Sequence, residues 1–263
     1  MNLRKRLRAP DPAWQPDAAS IVKDAQKELQ SSTRRLLGKR ILTLGGLMLL
    51  SGCDLTNDKS VNALLRKVSS FNDDAQALLF DPRKLAPTYP ESMITRPFPF
   101  NAYYDIDQVP DVDARTYRLE LGGRVKGKRV WTLDELHALP QQSQVTRHIC
   151  IEGWSAIGKW GGVRFSDFLL RCGADTTAKY IALHCADSYW TSIDMPTALH
   201  PQTLLTLTYD GSTLPAKYGF PMKLRMPTKL GYKNPKHIVA MTVTNEFPGG
   251  YWENQGYNWF GGS

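Results

Sequence analysis

The residues best suited to chemistry form one short run, Cys150-Ile151-Glu152-Gly153-Trp154-Ser155, which follows Arg147 and His148 directly. A thiol ligates a soft metal only as thiolate, and positive charge from Arg147 and His148 would favour that form. A lone cysteine also packs well as a small buried hydrophobe, so the residues alone leave both roles open for Cys150. Glu152, two positions on, suits a proton relay or a hydrogen bond to local amides. Further along, Lys223, Lys229, Lys233 and Lys236 accompany Asn234 and Pro235. By themselves these lysines read as a solvated edge; a phosphate site needs clustered ammonium groups and backbone N–H donors in a tight turn. Trp154, Trp160, Tyr189 and Trp190 point to an aromatic pocket of low charge or to core. His148, His184 and His200 are expected to be neutral, each satisfied by a backbone partner, and no H-x-x-x-H pair supports a second metal.

The elements that must position these groups are short. Residues 116–121 alternate with period two and meet Gly122-Gly123, and Thr132 with Glu135 forms a capping box that opens a helix. Residues 147–151 read as a strand, 166–171 as a helix ended by Gly173, and 180–185 as a buried strand. Residues 204–209 close on Asp210-Gly211, 222–226 alternate with Lys223 and Arg225 on one face, and 238–244 are rich in β-branched residues. The fold class expected is α+β, dominated by strands. Neither internal repeats nor a glycine-rich phosphate loop of Rossmann or Walker type is present. Before this body, residues 54–99 carry Pro82, Pro87, Pro90, Pro97 and Pro99, which predicts an extended linker or arm.

At 263 residues with 42% apolar content, the chain can bury one full domain, expected over residues 100–263, plus a leader. The net charge of +8 is concentrated at the start. Residues 1–53 hold ten Lys/Arg against four Asp/Glu, a net +6, and the other residues hold 23 against 21, about +2. A nearly neutral body argues against a nucleic-acid partner. Cys53, Cys150, Cys172 and Cys185 include no C-x-x-C pair and no haem-attachment motif.

Within the leader, Arg34-Arg35 precedes an apolar run at residues 41–50 that is too short for a lasting membrane span and is flanked by Lys39 and Arg40. The pair resembles a twin-arginine export signal, the route of folded, cofactor-loaded proteins. Leu50-Ser51-Gly52-Cys53 resembles a lipobox, which makes Cys53 a lipid anchor. The plainer alternative is an ordinary basic segment before an apolar one, with Cys53 a small apolar residue. The location expected is the periplasmic side of a bacterial inner membrane.

Arg147-His148-Ile149-Cys150-Ile151-Glu152-Gly153-Trp154-Ser155, followed by Lys159-Trp160-Gly161-Gly162-Val163, resembles the metal-ligand segment of the sulfite oxidase superfamily. The similarity is greatest to the periplasmic methionine sulfoxide reductase catalytic subunits. It continues through residues 219–224 and 227–236, in the family's order and spacing. The resemblance implies a sulfite oxidase-type molybdopterin-binding domain without the C-terminal dimerisation domain, and a molybdenum-molybdopterin cofactor with Cys150 as its metal ligand. Asn101, Tyr104, Asp105, Cys185, Lys223, Asn234, Pro235 and Lys236 take the other cofactor-binding positions. Two of these neighbourhoods depart from the family: Cys185 replaces a threonine, and Tyr218 stands where an asparagine is expected. No arginine follows Cys150 to hold an anionic substrate, since Ser155, Ala156 and Ile157 occupy that stretch.

The activity implied is oxygen-atom transfer on a small substrate, sulfoxide reductase-like, by a monomer. Electrons would be exchanged with an external carrier, a membrane cytochrome or quinone-linked subunit. A sulfite or other anion dehydrogenase of the same fold, and a non-enzymatic lipoprotein on a lapsed scaffold, are the alternatives.

Overall fold

Residues 59–263 are described by the computed structural model of the chain, with side chains from residue 67 onward. Arg34, Arg35, the 41–50 run and Cys53 lie outside the described residues. The first element is a helix, α1 (Lys59–Leu79), where an extended arm is expected from the sequence. The reason is where the prolines fall: all five follow residue 80, while α1 has neither Pro nor Gly to break it. From residue 80 the arm does run extended along the domain, interrupted by a single 3-10 turn at Glu91–Met93. Tyr89 N donates to Val145 O at 3.0 Å, and Thr95 N donates to Ile157 O at 2.9 Å.

Residues 66–263 form one unit built on two sheets. The first has the order β1-β9-β4-β5, from β1 (Glu120–Gly123), β4 (Tyr180–Cys185), β5 (Trp190–Asp194) and β9 (Ile238–Thr244). Its β1–β9 pair is parallel and its other pairs antiparallel. The second has the order β2-β3-β6-β7, from β2 (Gln141–Ile149), β3 (Ser155–Arg164), β6 (Leu204–Tyr209) and β7 (Ser212–Thr213), with β8 (Lys223–Arg225) also paired to β6. Three short helices connect the strands, α2 (Leu133–His137), α3 (Phe165–Arg171) and α4 (Met195–Ala198), and a fourth, α5 (Tyr251–Asn254), follows β9. The capping box at Thr132 and Glu135 opens α2. Asp210 (φ 50°) and Gly211 (φ 81°) turn β6 into β7 with the left-handed backbone that a tight hairpin requires. The body is therefore α+β and strand-rich.

Ile181, Leu183, Ile193, Met241 and Val243 of one sheet meet Val163, Leu205, Leu207 and Leu224 of the other in a single buried core. Sequence patterning misses β5 and β3, each buried on both faces and so without alternation, and β3 is the longer. Its outer face packs Ala156 and Trp160 against Phe98, Leu214 and Tyr218. The Gly161-Gly162 pair makes this possible. A Cβ on Gly162 would stand 1.9 Å from Leu205 O, at the point where the β3–β6 register shifts.

Candidate active site

β2 and β3 form an antiparallel hairpin in which Ile149 pairs with Ser155, so residues 150–154 are its turn. Cys150 N donates to Trp154 O at 2.9 Å, and Gly153 adopts φ 90°, a conformation costly to any residue with a Cβ. The turn folds Glu152 back on its neighbours: Cys150 Sγ donates to Glu152 Oε2 at 3.6 Å, and Trp154 Nε1 donates to the same oxygen at 2.9 Å. Glu152 thus bonds side chains, where the sequence left local amides as an option.

The expected help from Arg147 and His148 toward a thiolate is not found. Strand alternation turns the exposed Arg147 away, its guanidinium carbon 5.2 Å from the Tyr89 ring. His148 is buried beside the cations Lys223, Arg225 and Lys236, and burial together with their charge holds its pKa well below the usual histidine value. Burial, with the Glu152 carboxylate beside it, pushes the Cys150 thiol up. In this state Cys150 is a thiol, and its proton must leave when a metal binds. His148 also lacks the expected backbone partner: its Nε2 lies 3.3 Å from Asn101 Nδ2. His200 has one, Lys84 O at 3.1 Å.

The four lysines are all buried, which excludes a solvated edge, yet they do not form one cluster. Lys229 Nζ donates to Phe260 O at 2.9 Å. Lys233 forms an ion pair with Glu253 and donates to Ser192 O at 2.7 Å. Lys223 and Lys236 alone flank one point, Gly219, where an added Cβ would lie 3.1 Å and 3.0 Å from theirs. Lys236 donates to Asn101 O, and to Lys217 O at 3.0 Å. The Asn234 side chain is consumed within its own loop: Oδ1 accepts from Met226 N at 2.7 Å and Arg225 Nη1 at 3.0 Å.

Of the site residues expected from sequence, Asn101, Tyr104, Cys150, Glu152, Asn234, Pro235 and Lys236 line one cleft. Asp105, Cys185 and Lys223 do not. Asp105 is exposed and precedes the 3-10 turn Ile106–Gln108. Cys185 belongs to the core behind the cleft, where burial pushes its thiol well up. Lys223 is buried with Nζ 5.0 Å from the Trp160 ring. Tyr218 is also core, donating its hydroxyl to Phe98 O at 2.7 Å.

The cleft adds residues that sequence reasoning did not select: Tyr103, Asp187, Tyr232, Trp252 and Tyr257. Tyr104 donates to Asp187 Oδ2 at 3.1 Å. Among the cleft aromatics the sequence points to Tyr104, through the family resemblance, and to Tyr189, as part of a Tyr-Trp pair.

Lys223, Arg225 and Lys236 carry no ion pair among the described residues. Three buried cations without a carboxylate partner are costly unless an anion completes them. Three buried ring or guanidinium nitrogens nearby, His148 Nδ1, His237 Nε2 and Arg225 Nε, also lack partners. A soft-metal thiol, unpartnered buried side-chain nitrogens and unbalanced positive charge are a donor set that an anionic, metal-bearing cofactor needs.

A strand-rich domain with this cleft is one that binds an anionic, metal-bearing cofactor. Residues 106–252 match the oxidoreductase molybdopterin binding domain. The chain belongs to that family, within the sulfite oxidase superfamily, and its cofactor is molybdenum-molybdopterin. It is 67% identical over 241 residues, 92% of each chain, to an Azospira oryzae protein provisionally named protein-methionine-sulfoxide reductase subunit YedZ1. It is 26% identical to the uncharacterized oxidoreductase YuiH of Bacillus subtilis, over 64% of this chain and 85% of that one. Identity is 29% with the protein-methionine-sulfoxide reductase catalytic subunit MsrP of Burkholderia mallei, over 55% of this chain and 49% of that protein.

Proposed function

We propose that this protein is a molybdopterin-dependent sulfoxide reductase in which Cys150 ligates the metal. The observation that carries the reading is the cleft in which the Cys150 thiol, Glu152 and the cation-backed 234–236 loop converge. When bound, the cofactor supplies two-electron oxygen-atom transfer; the chain supplies binding, orientation and proton handling. Lys236, through its ammonium and its backbone N–H, would hold the terminal phosphate, with the charges of Lys223 and Arg225 behind it; the Asn234 N–H is already bonded to Gly231 O and Pro235 has none. Asn101 would contact the pterin. Glu152 Oε2 already accepts the Cys150 thiol hydrogen, so it is placed to take that proton when the metal binds. Trp154 Nε1 holds the carboxylate in that position.

The cleft favours a neutral sulfoxide over sulfite. Lys236 is the single cation among the lining residues, and Glu152 and Asp187 set two carboxylates against an anion. Tyr103, Tyr232, Trp252 and Tyr257 offer aromatic edges to a polarisable sulfur group. The relatives' names support methionine sulfoxide as the substrate class, and "catalytic subunit" in one of them supports a separate partner subunit, to which we assign electron donation. We place the protein outside the cytoplasm, exported through Arg34-Arg35 and lipid-anchored at Cys53.

The test is metal analysis of protein exported from a native host, followed by paired assays. Stoichiometric molybdenum with reduction of methionine sulfoxide by an artificial donor is expected. Sulfite oxidation without sulfoxide reduction would replace this reading with an anion dehydrogenase, and absence of molybdenum would leave a lapsed scaffold.

A further inference from the structure

α1 is amphipathic in the inverse sense. Its polar Asp73 and Gln76 face the domain: Asp73 Oδ1 accepts from Phe260 N at 2.7 Å, and Gln76 Oε1 accepts from Gly262 N at 3.2 Å. The apolar residues point out. Val68, Phe71, Leu78 and Leu79 are 47%, 73%, 87% and 83% exposed. Their spacing puts them on one stripe of the helix, and the stripe is bordered by one charge of each sign, Lys67 and Asp74. A soluble domain ordinarily turns such a stripe inward, so this one is arranged for another apolar phase.

We infer that the stripe of α1 seats on a phospholipid bilayer surface, as a second attachment beside the leader. The inference rests on the membrane attachment proposed above. Cys53 lies six residues before the start of α1, a spacer that spans at most about 20 Å. A helix tethered so closely meets the bilayer at high effective concentration, and that offsets the weakness of a four-residue stripe. No helix of the described residues is long and apolar enough to cross a membrane, so α1 lies in the surface plane. The balanced border makes anionic lipid unnecessary for seating.

The test is hydrogen exchange of the full chain with and without vesicles of phosphatidylethanolamine and phosphatidylglycerol. Amides of 67–79 are expected to exchange at least about tenfold more slowly with vesicles, and the F71S/L78S/L79S variant to lose that protection. Equal rates with and without vesicles overturn the inference. So does protection that appears only with a lipid-free membrane-protein fraction, which assigns the stripe to a protein partner. Protein exported from a native host that carries no acyl group at Cys53, yet shows vesicle protection over 67–79, overturns the anchor and keeps the helix inference.

Discussion

Cys150 and Glu152 are joined through one hydrogen bond across a hairpin turn, Sγ donating to Oε2 at 3.6 Å. The turn, not the strand before it, decides the state of the thiol, because Arg147 points away and His148 is held neutral. Cys150→Ser is expected to abolish turnover and change the molybdenum spectroscopic signature, with the melting temperature kept within a few degrees. Glu152→Gln keeps the shape and removes the proton acceptor, so kcat should fall about 10²- to 10⁴-fold at unchanged molybdenum content. Full turnover in the glutamine variant would dismiss the relay.

Lys236→Ala removes the cation that lines the cleft. A charge-assisted contact contributes on the order of 1.5 to 3 kcal/mol, about one to two decades of cofactor affinity. Molybdenum per folded protein should drop, while the exposed Lys128→Ala control keeps it. Equal content in both variants would remove Lys236 from the phosphate site.

Glu253 sits on α5 beside Trp252, and its pair with Lys233 pins that helix to β5. Glu253→Ala strands a buried ammonium and is expected to cost about 3 to 5 kcal/mol in urea unfolding. Glu253→Ala with Lys233→Met should recover much of the loss. A double variant no better than the single one would show that the pair's charges matter little.

Two glycines separate crowding from backbone strain. Gly162→Ala places a methyl 1.9 Å from Leu205 O and is expected to cost more than about 4 kcal/mol or prevent folding. Gly153→Ala meets nothing within 4 Å but keeps φ at 90°, so about 1 to 2 kcal/mol is expected. Comparable urea midpoints for the two would contradict the close approach of β3 to β6.

Lys229 is pushed down to about 7 by burial, against an ordinary value of 10.5. A folded-state pKa below the unfolded one means that the native state binds fewer protons. Stability should therefore rise with pH between about 7 and 10 and be flat in this contribution below 7. Unfolding of wild type and Lys229→Met from pH 6 to 10 checks the sign. A wild-type curve that falls relative to Met across that interval would mean a charged, stabilised Lys229.

What the sequence alone determined was local. Tyr180–Cys185, Leu204–Tyr209 and Ile238–Thr244 appear as strands where their patterns run, and the Thr132–Glu135 box opens its helix, because period and capping depend on neighbours within a few residues. Family likeness, carried by the spacing around Cys150 and Lys236, was legible for the same reason. Tertiary structure decided which charges meet. Four lysines of one segment separate toward Phe260, Glu253 and the Gly219 corner, and Tyr103, Asp187, Trp252 and Tyr257 reach one cleft from three distant stretches. It also decided that α1 turns its polar edge inward, since the backbone donors of Phe260 and Gly262 needed acceptors and Asp73 and Gln76 lay within reach. A buried charge or donor takes its partner from whatever the fold brings within about 3 Å, and sequence distance places no limit on that choice.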